Sequence, residues 1–450
     1  ASARSLLAVD LGSAHRVLTV TAQTAGDAMA CTGVPEALAL TALSVEVDAA
    51  VRLYRLAEAT ATAAIAGLRD EVMAAAGRAA PVLVLGAGAI ALLGSVVGVD
   101  VTGWLDELAA DNPWLVDLVA GGADGFVTGL AQTDPAVALV LVAAAVRAGV
   151  PFPPRDTRDA TAILAEVGSA LGVLDETSSD AVSTQVVSVG VGPGPTGIAD
   201  LARGEVELGT GDRGEDGQVR VIQVPQPDGT SAWIVQLPGT QEWEASAGEN
   251  PFDLSTDVVA MTGVATAAAA GATRALDEAM ARAGRSGARD PVMLVGHSQG
   301  GIVAASLASD PRFREGHDVR AVLTFGAPVG AFSVPDEVAV LSVEHVQDIV
   351  PRLDGVTNPD RAGWTTVRVD LGDTVERASH AHDSRRYAGS SVAIDRLIDS
   401  GQEPSLTSWA ASAAPFLAAS GPVAVTDVRL RRGPVFGQLV AACPQPVACL

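Results

Sequence analysis

The chain has 450 residues, 48% apolar and 18% charged, with a mean hydropathy of +0.31, which excludes a disordered chain and is ample for two or three domains. Its 29 basic residues are all arginine, and with 53 acids they leave a net charge of −24; no arginine cluster denser than Arg385-Arg386 or Arg431-Arg432 offers nucleic acid a basic face. Three cysteines exclude a disulfide scaffold or a multi-cysteine metal site, leaving Cys443 and Cys449 as a tail staple or two free thiols.

Residues Ala1–Val20 carry Asp10 within their apolar run and no cleavage site follows, so no cleavable secretory signal is expected. Apolar positions recur at helical spacing over Ser5–Ala30 and Pro35–Gly77, with Gly33-Val34-Pro35 between them, which predicts a helical hairpin. Tyr54 and Glu58 stand four apart on its second helix. This hairpin resembles the small helical substrates of type VII secretion, whose export signal pairs a tyrosine with an acid four residues on, although Thr32-Gly33-Val34 occupies the family's Trp-x-Gly turn. The resemblance implies a secreted or cell-surface protein, with membrane or secretion-chaperone contact through residues 1–150; a cytoplasmic location is the alternative.

Pro81–Val99 is a charge-free run of bilayer-spanning length. Its four glycines and the absence of a flanking basic cluster favour the central helix of an Ala/Gly-rich bundle over a membrane span. Ala136–Val146 reads as a buried helix, Pro151–Pro154 as a boundary, Thr157–Leu174 as a helix, and the Gly/Ser/Thr-rich stretch Ser183–Gly217 as a connecting or covering loop. The expected organisation is an all-α N-terminal domain over 1–150, a linker or cover over 151–217, and a catalytic domain over 218–450.

From Gln218 the periodicity changes. Val219–Val224 and Ala232–Leu237 are strand-like around the turn Pro225–Gly229, and Ser255–Ala283 reads as one alanine-rich helix. Pro291–Val295 is an uninterrupted apolar run, expected as a strand buried on both faces. It leads into Gly296-His297-Ser298-Gln299-Gly300-Gly301 and the small-residue helix Ile302–Ala308. A G-x-S-x-G between buried strand and helix is a nucleophile turn: glycines two residues either side let strand and helix pass, and the helix N-terminus faces the forming oxyanion. Ser298 is the candidate nucleophile. In that fold the acid and then the histidine follow the serine, which restricts the base to His317, His345, His380 or His382. Asp348 follows the strand-like Val338–Val343. His380 and His382 follow Thr365–Leu371, with Asp383 or Ser384 capping the next helix.

Gly-His-Ser-Gln-Gly-Gly, Thr324-Phe325-Gly326-Ala327-Pro328, Asp348-Ile349-Val350-Pro351 and a late histidine before Tyr387 together resemble the lipase and esterase branch of the α/β-hydrolase fold, class 3 lipases in particular, over Val219–Ile398. The resemblance implies a mostly parallel sheet flanked by helices, Ser298 as nucleophile, Asp348 as acid and His382 as base, with His380 as the alternative base. It implies an oxyanion site from the Gln299 N–H and the Thr240 N–H, in a turn after the second strand. It also implies an ester of a small molecule or lipid as substrate, and no cofactor or metal. His297 and His345 are expected to pack, and Gln241–Asp257, with Trp243 and Phe252, to begin an acyl-pocket wall or lid. The rival reading is an exported or membrane-associated effector whose helical half carries the main activity.

Overall fold

The computed structural model describes residues 67–78, 120–171, 182–209, 216–243, 247–372, 378–417 and 421–433, with the single residues 52, 174, 176 and 375. Tyr54, Glu58, the run Pro81–Val99, the three cysteines and nearly all of the predicted hairpin lie outside the described residues. The chain divides into compact units Ala1–Leu68 and Arg69–Leu450, and almost all the described structure belongs to the second.

Four helices come first: α1 (67–78), α2 (Ala123–Ala131), α3 (Pro135–Ala148) and α4 (Thr157–Ala170). Helices α2 to α4 enclose a small core of Val127, Leu141, Ala144, Ala145, Ala160 and Ile163. Asp134 caps α3, its side chain accepting from the Ala136 N–H, and Gly149 ends it in the left-handed region. This helix corrects the expectation of a buried one. Only Leu141, Ala144 and Ala145 are buried, while Leu139 and Val146 are 71% and 75% exposed. The run is apolar all round, so no periodicity marked which face would be covered. No helix among the described residues is long and apolar enough to cross a membrane.

An eight-stranded sheet follows: β1 (Val182–Gly192), β2 (Gln218–Pro225), β3 (Ser231–Leu237), β4 (Pro291–His297), β5 (Asp318–Phe325), β6 (Ala339–His345), β7 (Trp364–Val369) and β8 (Val423–Arg432). Their spatial order is β1-β8-β2-β3-β4-β5-β6-β7, parallel from β3 to β7 and antiparallel across β1, β8, β2 and β3. Strands β3 to β6 are the short apolar runs the sequence presents, and both faces are covered, as parallel strands require. One face packs on α6 (Leu254–Met261), α7 (Ala267–Arg282) and α8 (Gln299–Ser309) through Trp233, Leu276 and Val303. The other packs on α5 (Ile198–Gly209), α11 (Ser384–Ser400) and α12 (Pro404–Leu417) through Ile234, Tyr387 and Trp409. The short helices α9 (Pro311–Gly316) and α10 (Ala378–Ala381) complete the layers.

Two further expectations change. Residues 182–209, read as a covering loop, supply the edge strand β1 and the helix α5, whose Ile198 and Leu201 are buried against the sheet. The single helix read over Ser255–Ala283 is two, because Gly263 adopts φ +77° and Thr266 caps α7 afresh.

At the end of β8 the Arg432 side chain is fully buried between Asp253 and Glu176, 2.5 and 2.9 Å away. An arginine taken out of water is tolerated only because both carboxylates meet it. Arg432→Met should therefore cost about 3–5 kcal/mol by stranding those acids, read as a lower midpoint in urea.

Candidate active site

Strand β4 delivers the chain into a turn in which Ser298 sits at φ 53°, ψ −122°, a conformation costing about 1–3 kcal/mol for a residue with a side chain. The flanking glycines have a steric reason. A Cβ on Gly296 would lie 2.1 Å from the Gly300 carbonyl carbon, and one on Gly300 would lie 1.9 Å from the Leu237 oxygen. Only hydrogens fit there, so the spacing of the motif is the spacing at which strand and helix backbones touch.

The turn presents Ser298 Oγ to His382, whose Nε2 is 2.8 Å away, and His382 Nδ1 is 2.7 Å from Asp348 Oδ2. With the ring proton on Nδ1, that N–H donates to the carboxylate and leaves Nε2 free to accept from the serine hydroxyl. Asp348 lies in the loop after β6 and is 1% exposed; its Oδ1 accepts from the Val350 N–H at 2.9 Å and its Oδ2 also accepts from the Tyr387 hydroxyl at 2.7 Å. Burial works to raise the carboxyl's pKa. The charge and hydrogen bond of His382, with the Tyr387 and Val350 donors, outweigh burial and hold it below the ordinary value.

His382 occupies the turn between α10 and α11, where Asp383 caps α11 by accepting from the Arg385 N–H at 2.8 Å. His380, two residues earlier, is exposed on α10, so His382 is the imidazole in contact with Ser298. His297 lies beneath, its Nε2 2.9 Å from the His382 carbonyl, and burial drives its pKa down to about 3, which keeps it a neutral donor. His345 bonds Ala381 O through Nδ1 at 2.7 Å and Ser390 Oγ through Nε2 at 2.9 Å, tying the loop ahead of His382 to α11.

The turn after β3 presses on Ser298: a Cβ on Gly239 would sit 3.2 Å from Ser298 Cβ, which brings Thr240 alongside. Gln299, first residue of α8, is wholly buried, and its side-chain amide donates to the Asp253 carbonyl at 2.8 Å. Asp253 is the residue that Arg432 grips, so the buried ion pair also anchors Gln299. Thr240 Oγ1 donates to Asp257 Oδ2 at 2.8 Å. Burial lifts the Asp257 pKa to about 7, offset by the Thr240 hydrogen bond and reinforced by the charge of Asp253. A carboxyl raised in the folded state binds more protons there than in the unfolded chain, so its contribution falls as pH rises from about 4 to 7. Asp257→Asn should thus melt with wild type near pH 4 and progressively above it toward pH 8, followed by calorimetry.

Sequence reasoning missed Tyr387 as a partner of the acid, and also Asp253, Asp257 and Arg432. Tyr387 carried one signal, being one of only two tyrosines in the chain. The others are joined by contacts that no local pattern encodes.

The mostly parallel sheet, the helices on both faces and the serine turn at the end of β4 define an α/β-hydrolase-type domain. Residues 256–357 match the family model described as PGAP1-like alpha/beta domain, under a quarter of the chain, running from α6 past Ser298 to the loop of Asp348. Thr240 and His382 fall outside that match. No curated protein matches, and no solved structure does. Fold and match together point to a hydrolase-type function.

Proposed function

We propose that the chain is a serine hydrolase acting on carboxylic esters of apolar or lipid-like character. The observation that carries this reading is the continuous relay Ser298 Oγ–His382–Asp348 at 2.8 and 2.7 Å, set on a strained turn at a helix N-terminus. Ser298 Oγ attacks the ester carbonyl carbon while His382 Nε2 takes its proton. The carbonyl oxygen, now an anion, is met by the Gln299 and Thr240 N–H groups and the positive end of α8. Collapse expels the alcohol, which recovers the proton from His382, and leaves an acyl-enzyme that a water activated by the same imidazole hydrolyses.

The apolar character rests on the rim. Trp243, three residues after Thr240, and Val346, Leu353 and Val356, within eight residues of Asp348, are exposed apolar side chains in the segments that flank the relay. The test is a series of p-nitrophenyl esters of increasing acyl length with fluorophosphonate labelling in parallel. Turnover rising with chain length supports the reading; protein that never labels overturns it.

A further inference from the structure

We propose that Tyr387 is a positioning residue for the acid of the triad, and that Gly326 exists to let its hydroxyl reach Asp348. The proposal rests on the serine-hydrolase reading above and adds a fourth member to the relay.

Asp348 Oδ2 receives two donors at the same distance, His382 Nδ1–H and the Tyr387 hydroxyl, each at 2.7 Å, while Oδ1 is taken by the Val350 N–H. Three donors from three segments leave the carboxylate no freedom to rotate about its own axis. The Tyr387 hydroxyl is itself fixed, accepting from the His345 backbone N–H at 3.1 Å. Its ring is 1% exposed and stacks on the His345 ring, centroids 3.8 Å apart and planes 13° from parallel. A backbone amide, a phenol and a carboxylate thus form one polarised chain ending on the catalytic imidazole.

Gly326 explains a motif to which the chemistry gave no role. In Thr324-Phe325-Gly326-Ala327-Pro328 the glycine has φ +58°, and a Cβ there would lie 2.9 Å from Asp348 Oδ2 and 2.9 Å from the Tyr387 hydroxyl. A methyl group would be driven between the two partners. The glycine keeps that space empty, so the hydrogen bond and the motif have one cause.

The titratable and charged groups that face the hydroxyl are Asp348 and His382 from the loops, Glu344 and His345 from β6, and His297 from β4. Removing the hydroxyl has two separable effects. The carboxylate gains freedom, which slows proton transfer through His382. It also loses a donor, so its charge bears more strongly on the imidazole and stabilises the protonated form.

Tyr387→Phe, which keeps the stacked ring, should lower kcat by about 10- to 100-fold with KM within threefold, the scale of one lost charge-assisted hydrogen bond. The acidic limb of its kcat/KM profile should move to higher pH by about half a unit. Gly326→Ala, which keeps the hydroxyl and intrudes on its bond, should reproduce the loss of kcat, and it serves as the test if Tyr387→Phe does not fold. Ser400→Ala, which removes a hydroxyl bonded to the Leu397 carbonyl at the far end of the helix that carries Tyr387, should leave kcat and the limb in place. Wild-type protein that labels with fluorophosphonate while a folded Tyr387→Phe matches its kcat and pH limb overturns the positioning role alone. Wild-type protein that never labels overturns the underlying reading instead.

Discussion

Ser298→Ala should abolish ester turnover and fluorophosphonate labelling, lowering kcat by about 10⁶-fold to the residue sustained by the oxyanion donors and binding. The size of the effect follows from the geometry. Ser298 Oγ is the atom held 2.8 Å from an imidazole that is itself 2.7 Å from a carboxylate, and alanine offers nothing to acylate. Substrate binding should survive, since the proposed oxyanion donors of Gln299 and Thr240 remain. Stability is the control. Alanine occupies the same φ of 53° under the same strain, so its unfolding midpoint should match wild type, whereas Ser298→Gly, free of that strain, should unfold later. A Ser298→Ala protein that still turns over esters at the wild-type rate would remove the nucleophile from the proposal.

Asp348→Asn is the second large effect, about 10⁴-fold in kcat with little change in KM. The substitution keeps shape and replaces an acceptor by a donor where His382 Nδ1 points. The imidazole then accepts at Nδ1 and carries its proton on Nε2, which faces Ser298 Oγ with a hydrogen instead of a lone pair. The serine keeps its proton and the nucleophile is not formed. Val350 holds the error in place: its N–H needs an acceptor where Oδ1 lies, which puts the amide NH2 at the Oδ2 position, facing His382 Nδ1. Steady-state kinetics on one ester across pH 5 to 9 decide it. Activity unchanged at neutral pH would show that the carboxylate does not set the tautomer.

The turn at Ser298 was legible because its requirements are local: an apolar strand, two glycines around a serine, and small residues beyond. Asp348 and His382 followed from chain order, since only a few candidates stand after Ser298 at strand ends. The sequence favours His382 over His380, and the structure puts the His382 ring in contact with Ser298 and His380, two residues earlier, in solvent. Tyr387, Asp253 and Arg432 act through partners 39 to 256 positions away, and nothing periodic announces such a meeting. Strand β1 was hidden for a different reason. It is an edge, mostly exposed beyond Val186, and its serine, threonine and glycine content gives neither the buried run nor the clean alternation that marks a strand. Helix α3 failed the opposite way, with apolar residues on every side.

Strand β8 lies between β1 and β2, yet it is made from residues 423–432, almost two hundred positions after the strand beside it. A ribosome therefore emits the serine, the acid and the histidine long before the strand that joins β2 to the edge. Until that strand arrives, Asp253 caps its helix through the Thr256 N–H but has no arginine, and the backbone carbonyl that holds Gln299 lacks the ion pair behind it. Closure of β8 onto β2, and with it the Arg432–Asp253 ion pair behind Gln299, is thus the last step that synthesis permits, and such long-range closure belongs to the slow end of folding.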